Sequence, residues 1–460
     1  MASAALSSAG TAALLADRDE ALMRRYASTS PRYTSYPATP TWTPEFGARD
    51  FTRALEHSNH TDGRGLSLYV HIPFCRKSCF SCACNRITTQ DTRRAEPYLS
   101  RLDREMVLTS RHLESNRPVE QLYWGGGTPT FLTLSQMGDL IDRLDARFGL
   151  SSSPQRDYAI EIDPREADVF TLRHLQVLGF NRISLGVQDL DLDVQRAINR
   201  VQPRIMTETL MEEAHRLGFR SLNLDLTCGL PRQTVQSFAH TLEQVIELNP
   251  ARLSITDYAH QPQRFASQRR INAAELPSAE ARLTMLRDAA ERLDQAGYVR
   301  VGMDHFARPD DSLVQAMHNG TLQRNPQGYA THADCDLLGL GASAISHIGN
   351  VQAQNPVRVK DYARALDAGE LAIDRGIQLT QDDLVRREAI QQLMCHARLD
   401  LAALGQRFNI DASRYFALAL SRLDAAKRDG LVEQSGDIIS VMPVGRQVLN
   451  HLAGAFDAHL

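Results

Sequence analysis

From about residue 66 the chain alternates short runs of β-branched and other apolar residues with longer stretches whose apolar positions recur every three or four residues. The first pattern is that of a buried strand and the second that of a helix with one apolar face. Strands are predicted at 68–72, 121–124, 158–162, 182–187, 221–226 and 252–256, with helices such as 98–113, 134–148, 207–217 and 238–248 between them. Strict alternation of this kind predicts an α/β fold, a parallel sheet wrapped by helices. Six units instead of eight predict an incomplete (β/α)6 TIM-like barrel, open on one side to a substrate larger than an ordinary metabolite.

The predicted strands end in residues a core would not choose: His71, then Gly125 to Thr128, Glu161 and Asp163, Gln188, Asp225 and Asp257. The C-terminal ends of barrel strands form the active-site mouth, so this pattern locates a site. After the sixth strand come a helical stretch at 280–296, a loop-like segment at 302–311 and a Gly-rich segment at 338–349. From Thr380 the tail reads helix, helix, a strand region at 431–441 broken by Ser435 and Gly436, and a last helix, which predicts a mainly helical, winged-helix-like module. No Lys/Arg-rich stripe accompanies it, so it reads as a lid or accessory domain and not as a nucleic-acid binder. The expected organisation is an N-terminal arm over 1–65 covering the active site, the barrel and its extension over 66–375, and the C-terminal accessory domain over 376–460.

Composition narrows the class. The chain has 460 residues, 43% of them hydrophobic and 23% charged, with a formal net charge of -4. That is enough apolar material for more than one core, and it excludes an acidic disordered chain or a broad nucleic-acid-binding surface. The Ala- and Ser-rich start, 1–23, lacks the order of a secretion signal, because its first basic residue, Arg18, follows the apolar stretch. No apolar run approaches the roughly 20 residues needed to span a bilayer. A soluble cytoplasmic protein with a frayed N-terminus is expected.

Four of seven cysteines, Cys75, Cys79, Cys82 and Cys84, fall in one short segment directly after the first predicted strand, while Cys228, Cys335 and Cys395 are scattered. That is no disulfide framework; it points to reduced thiols and a metal or redox site. The spacing of Cys75, Cys79 and Cys82 lets one loop wrap an iron-sulfur cluster and leaves one iron of a 4Fe-4S cube open. A structural zinc site usually takes four ligands in two separated pairs, and on the cysteines alone zinc stays an alternative. Cys84 is either a fourth ligand or a buried thiol beside the site, and its single-residue separation from Cys82 disfavours joint binding to one cube. At the end of the second strand, Gly125, Gly126 and Gly127 offer bare backbone to a small ligand.

The cysteine loop and the Gly run together resemble the radical S-adenosylmethionine (SAM) enzymes. Further segments resemble one family within them, the oxygen-independent coproporphyrinogen III oxidases: Arg32 to Pro37, Tyr69 to Cys75, Ile160 to Glu166, Phe180 to Asp189, Gly302 to Asp311, Arg324 to Tyr329 and Gly341 to Ser346. The resemblance implies that Cys75, Cys79 and Cys82 hold a 4Fe-4S cluster whose open iron is chelated by SAM, the source of a 5'-deoxyadenosyl radical. It places Tyr69, Gly126, Glu161 and Ile345 against that SAM. It implies a second SAM at Ser81, Gly127, Thr128, Gln188, Arg200, Asp225 and Ala259. The family pattern has an aromatic residue immediately before the third cysteine; here Ser81 stands there and Phe80 one position earlier.

The activity so implied is anaerobic decarboxylation of two propionates of coproporphyrinogen III to vinyl groups, giving protoporphyrinogen IX. The radical chemistry belongs to the cofactor, with Glu161 a candidate positioning residue. A low-potential donor such as flavodoxin or ferredoxin and a monomeric chain are expected. Arg32, Arg308 and Arg324 are candidates for the substrate carboxylates, with solvated surface arginine as the alternative. His71, His260, His305 and His347 are expected to orient neighbours by hydrogen bonds, and Tyr33 and Tyr36 either cover the substrate or pack the arm against the barrel. The competing function is a haem-binding or haem-delivery relative without decarboxylase activity. Such relatives tend to lack the Arg32 to Pro37 arm and Cys84, and this chain has both.

Overall fold

The computed structural model describes Leu22, Arg25, Tyr26 and residues 31–60, 64–332 and 335–460. The frayed start expected over 1–23 lies, apart from Leu22, outside the described residues, as do parts of the expected arm over 1–65. The chain divides into two compact units, one of 42–277 and 332–380, the other of 1–41, 278–331 and 381–460.

The first unit is a mixed sheet with helical crossovers. Six parallel strands, β1 (Leu66–Ile72), β2 (Val119–Gly126), β3 (Asp157–Ile162), β4 (Arg182–Gln188), β5 (Ser221–Cys228) and β6 (Arg252–Asp257), lie side by side in sequence order. Each of the six predicted strands is present and longer than predicted. Both faces of β1 are covered, Leu66, Leu68, Val70 and Ile72 being buried on one and Ser67 and His71 on the other. Helices Leu134–Phe148 and Val235–Leu248 begin at capping boxes whose N-cap residues are Thr133 and Thr234, which satisfy backbone N–H groups left over at a helix start.

The sheet does not stop at β1. On its other edge lies β7 (Asp336–Leu340), parallel to β1, followed by antiparallel β8 (Ile345–Ile348), β9 (Val351–Gln354) and β10 (Arg375–Gln378). The segment read only as Gly-rich thus carries two strands. Gly339 and Gly341 weaken strand propensity, yet both are required by close approach. A Cβ on Gly339 would lie 2.5 Å from the Ile345 carbonyl oxygen, and one on Gly341, at φ +98°, would overlap the Tyr98 hydroxyl.

The second unit contains the module expected in the tail. Helix Gln381–His396 leads through a short strand, Arg398–Asp400, into Leu401–Phe408 and a run of short helices between Ala412 and Arg428. The hairpin Val432–Ser435 and Ile438–Val441 then joins the short strand in a three-stranded sheet. That order is winged-helix-like. The loop-like segment 302–311 holds a strand, His305–Ala307, antiparallel to Val299–Val301. In the same unit Tyr33 and Tyr36 are each 2% exposed. Tyr33 Oη donates to Asp457 at 3.0 Å, and Tyr36 Oη accepts from the Ala458 amide at 3.2 Å. Both rings therefore pack the arm onto residues of their own unit, where packing against the barrel was the expected alternative. No helix among the described residues is long and apolar enough to cross a membrane.

Candidate active site

Register brings the polar strand ends level. His71 lies beside Gly125 and Ile72 beside Gly126 across β1 and β2; Glu161 lies beside Ser184, Gly186 beside Asp225, and Asp225 beside Ser254. The cysteine loop leaves β1 at this end, with Cys75 in a two-residue strand, Phe74–Cys75, that pairs with Ile87–Thr88.

Around Glu161 the structure assembles a connected group. Its carboxylate accepts from Tyr123 Oη at 2.9 Å and from the Gly126 amide at 3.2 Å. Burial, followed by the charge of Asp225, pushes its carboxyl up to about 7. Tyr69 stacks on Tyr123 with ring centroids 6.1 Å apart, and Tyr69 Oη meets His71 Nδ1 at 3.1 Å. His71 Nε2 reaches the Asn85 carbonyl at 3.0 Å, and burial lowers the ring to about 4, so it stays neutral and orients Tyr69. Gly126, at φ +113°, admits no side chain, since a Cβ would come within 2.6 Å of the His71 ring; one on Gly127 would come within 2.7 Å of the Phe74 carbonyl oxygen.

The thiols face two cationic groups. Arg165 Nη2 lies 3.3 Å and Arg200 Nη1 3.4 Å from Cys79 Sγ. Both arginines also bind Asp163, at 2.7 and 2.9 Å. Burial raises the Asp163 carboxyl, but Arg200 and Arg165 outweigh it and hold it below the usual range. Cys75 is buried, which raises its thiol to about 11 despite a hydrogen bond from Thr128 Oγ1 at 3.4 Å; charge on Cys82 or Cys79 raises it further. Cys82 is lowered chiefly by its hydrogen bond with Cys84, and the Cys84 amide also donates to Cys82 Sγ at 3.3 Å. Among the described residues no three Cys, His or acidic groups stand as a preformed metal site. Three thiols on one loop, with Cys79 partnered by two guanidinium donors, are nonetheless a donor set that fits an anionic iron-thiolate centre, and the Gly126–Gly127 backbone leaves the strand end clear for a small ligand.

A second group surrounds Gly186. Gln188 has φ +69° and its Oε1 accepts from Thr227 Oγ1 at 2.5 Å. Arg200 is 6% exposed, donates to the Gly186 carbonyl at 2.6 Å, and has a buried Nε without a partner. Asp225 accepts from Ser184 Oγ at 2.6 Å, from Asn223 Nδ2 at 2.8 Å and from Ser254 Oγ. Beneath them Asp189 accepts from the Asp191 amide, Gln233 Nε2 and Thr241 Oγ1, between 2.6 and 2.7 Å. Sequence reading passed over Tyr123, Thr227, Gln233 and Thr241, which look like ordinary strand and helix residues until the fold brings them against these carboxylates and Gln188.

Other candidates take no part in these two hydrogen-bonded groups. Ser81 contributes its carbonyl to Gln268 Nε2 at 3.2 Å, and Ala259 is exposed just beyond β6. Phe80 packs against the cluster of Val194, Ile198, Leu230, Tyr258 and Ile271, with Arg270 over its ring. Ile345 is half-buried on β8, after a turn held by a buried carboxylate. That carboxylate is Glu105, which accepts from the Gly341 amide at 2.7 Å, Asn355 Nδ2 at 2.6 Å and Tyr362 Oη at 2.7 Å. His260 pairs with Tyr258 Oη at 3.0 Å, and His347 lies on β8. In the second unit, Arg32 and Arg324 both bind Asp304, which also holds His305; Arg308 lies over Tyr298 and donates to the Ala296 carbonyl. These three arginines are committed within the protein.

A model of the Radical SAM superfamily matches residues 69–245, and one of the HemN C-terminal domain matches 379–448. The chain is 49% identical over 442 residues to the oxygen-independent coproporphyrinogen III oxidase of Pseudomonas aeruginosa, covering 96% of each chain. It is 40% identical over 443 residues to that of Synechocystis, covering 95% of this chain and 94% of the other. The solved structure of the radical SAM enzyme coproporphyrinogen III oxidase (HemN) from Escherichia coli superposes with a TM-score of 0.89 at 44% identity, over 93% of this chain and 97% of that one.

Proposed function

The chain belongs to the oxygen-independent coproporphyrinogen III oxidases of the radical SAM superfamily, and from that premise we propose that it converts coproporphyrinogen III to protoporphyrinogen IX, removing two propionate carboxyls as CO2. The observation that carries this reading is the cysteine loop leaving β1 beside the Gly126–Gly127 strand end, with Glu161 accepting from the Gly126 amide. A 4Fe-4S cluster and SAM, when bound, supply the electron and the 5'-deoxyadenosyl radical that abstracts a propionate hydrogen. Cys75, Cys79 and Cys82 are the thiolates that would hold the cluster, with Arg165 and Arg200 stabilising negative charge on Cys79.

The chain's own residues orient and exclude water. Glu161 accepts hydrogen bonds and, with Tyr69, Gly126 and Ile345, would receive the cluster-bound SAM. Gln188, Arg200 and Asp225, with Ser81, Gly127, Thr128 and Ala259, would receive a second SAM. Arg200 suits a carboxylate because its Nε is buried and unpaired. The Asp189 network supports Gln188 in its left-handed conformation, which a non-glycine residue adopts only when its surroundings hold it. A low-potential flavodoxin or ferredoxin supplies the electron that cleaves SAM, the electron lost with each CO2 passes to a separate one-electron acceptor, and the enzyme acts as a cytoplasmic monomer.

The test is anaerobic reconstitution with iron and sulfide, followed by SAM, a reductant and coproporphyrinogen III. Protoporphyrinogen IX and CO2 are expected together with 5'-deoxyadenosine. A stable stoichiometric complex with haem and no CO2 release would overturn the reading in favour of a haem carrier.

A further inference from the structure

The 3-10 turn Pro164–Glu166, directly after β3, is fastened to the cysteine loop at two points. Glu166 pairs with Arg76 at 2.6 Å, and Arg165 Nη2 lies 3.3 Å from Cys79 Sγ. The protein fixes the Arg165 guanidinium without help from the thiol. Its Nε and Nη2 fork onto the two oxygens of Asp163 at 3.0 and 2.7 Å, and the Arg165 amide donates to the same carboxylate at 3.0 Å. Nη1 lies 3.5 Å from the Asn199 carbonyl, while Asn199 Nδ2 donates at 2.8 Å to the carbonyl of Ser78, the neighbour of Cys79. A second guanidinium, from Arg200, shares Asp163 at 2.9 Å and also reaches Cys79 Sγ, at 3.4 Å.

Two guanidinium groups and one carboxylate leave one net positive charge against a single sulfur. The three side chains are only 7–10% exposed, so water and salt screen that charge weakly. A purely structural Arg165 accounts for the fork that closes the turn on Asp163. It accounts neither for a second guanidinium on the same carboxylate nor for the aim of both at one thiol. An electron-accepting thiolate centre accounts for both, because hydrogen bonds to its sulfurs and nearby positive charge favour the form that has gained an electron. The two arginines differ in what they have left. Arg200 keeps a buried Nε without a partner, whereas Arg165 Nε is already spent on Asp163, so Arg165 serves the sulfur.

We propose that Arg165, locked by Asp163, is a positioning residue that sets the reduction potential of the cluster through its hydrogen bond to Cys79, keeping the oxidised cluster within reach of its donor. This rests on the reading of Cys75, Cys79 and Cys82 as the cluster ligands. The step it favours is transfer of one electron from reduced flavodoxin or ferredoxin to the oxidised cluster, with no proton moved at Cys79. That electron is the one then used to cleave SAM.

The test uses reconstituted holoenzyme without SAM or substrate, in a redox titration followed by electron paramagnetic resonance. Arg165→Met should hold as much iron as wild type, with its reduction equilibrium weakened about tenfold, a midpoint about 59 mV more negative for one electron. Arg165→Lys, which keeps the charge but not the fork, should fall between the two. With SAM added, 5'-deoxyadenosine formation by Arg165→Met should be depressed when flavodoxin is the reductant and recover with titanium(III) citrate, a stronger one. A wild-type midpoint in Arg165→Met, or a loss of 5'-deoxyadenosine that titanium(III) does not restore, overturns the assignment. Should Arg165→Met take up no iron, Arg165→Lys decides by the same titration: a lowered midpoint supports the assignment, and a wild-type midpoint or no iron again overturns it. Wild type that assembles the cluster but makes no protoporphyrinogen IX sinks the oxidase reading alone, whereas an active wild type with unshifted variants sinks only the role of Arg165.

Discussion

The hydroxyl of Tyr329 occupies the place where a side chain at Gly302 would begin. Gly302 has φ +61°, and a Cβ there would overlap Tyr329 Oη, which accepts from the Met303 amide at 2.9 Å and donates to the Met394 carbonyl at 3.1 Å. The pair fastens the 302–304 turn to the helix Gln381–His396. Gly302→Ala should therefore destabilise the protein by about 2–4 kcal/mol, the sum of left-handed backbone strain and overpacking. Tyr329→Phe should recover part of that loss in the double variant, so the two changes should be non-additive in urea denaturation midpoints.

Cys75→Ser, Cys79→Ser and Cys82→Ser should each abolish the iron-sulfur cluster, whereas Cys84→Ser should retain it. The Cys84 contribution that survives substitution is its amide, which donates to Cys82 Sγ. Anaerobic iron content and electron paramagnetic resonance decide the matter, and a cluster that survives loss of Cys79 removes the ligand assignment.

Arg200→Ala should leave the cluster in place and weaken SAM binding about tenfold to more than a hundredfold, the range for one lost charge-assisted contact. Asp163 keeps Arg165, and Cys79 keeps the Arg165 donor. Gln188→Gly should also depress turnover while stabilising the backbone slightly, because glycine accepts φ +69° without strain. Protoporphyrinogen formation, iron content and 5'-deoxyadenosine yield, measured together at limiting SAM, separate these effects. Full product formation by both variants would remove the case for a second SAM.

Glu105 should make stability fall as pH rises. Burial lifts its carboxyl from 4.5 to about 7 even though Tyr362, Gly341 and Asn355 donate to it. Between those values the folded protein holds a proton that the unfolded chain has released. The contribution is thus intact below about pH 4.5 and lost by about pH 7, to a total of as much as about 3 kcal/mol. Glu105→Gln should abolish this decline. Urea midpoints of wild type and variant should lie closest at pH 5 and differ most by pH 8, with the variant the more stable there, and parallel pH profiles would refute the assignment.

The six parallel strands were legible because each is a short apolar run closed by a polar or glycine residue, and the cysteine loop was legible from spacing alone. β7 and β8 were not, because Gly339 and Gly341 erase the strand pattern and their reason is tertiary: the Ile345 backbone and the Tyr98 hydroxyl occupy the missing Cβ positions. The same holds for the supports of the candidate site. Glu161 and Asp225 announce themselves as carboxylates at strand ends, but Tyr123 and Ser254 become their donors only through register. Arg32 and Arg324 lay in conspicuous motifs and turned out to serve Asp304.

The contact between Tyr33 and Asp457 joins residues 424 positions apart. Loop closure over such a span carries a large entropic cost before any contact repays it. The unit that contains 1–41, 278–331 and 381–460 cannot close until the last helix has left the ribosome, whereas the barrel unit is complete in sequence at residue 380. Synthesis proceeds from the N-terminus and compact units fold as they emerge. The Arg32 to Pro37 segment is therefore made first and docked last, and a nascent chain stalled after residue 380 should carry a protease-resistant barrel with this segment still cleavable.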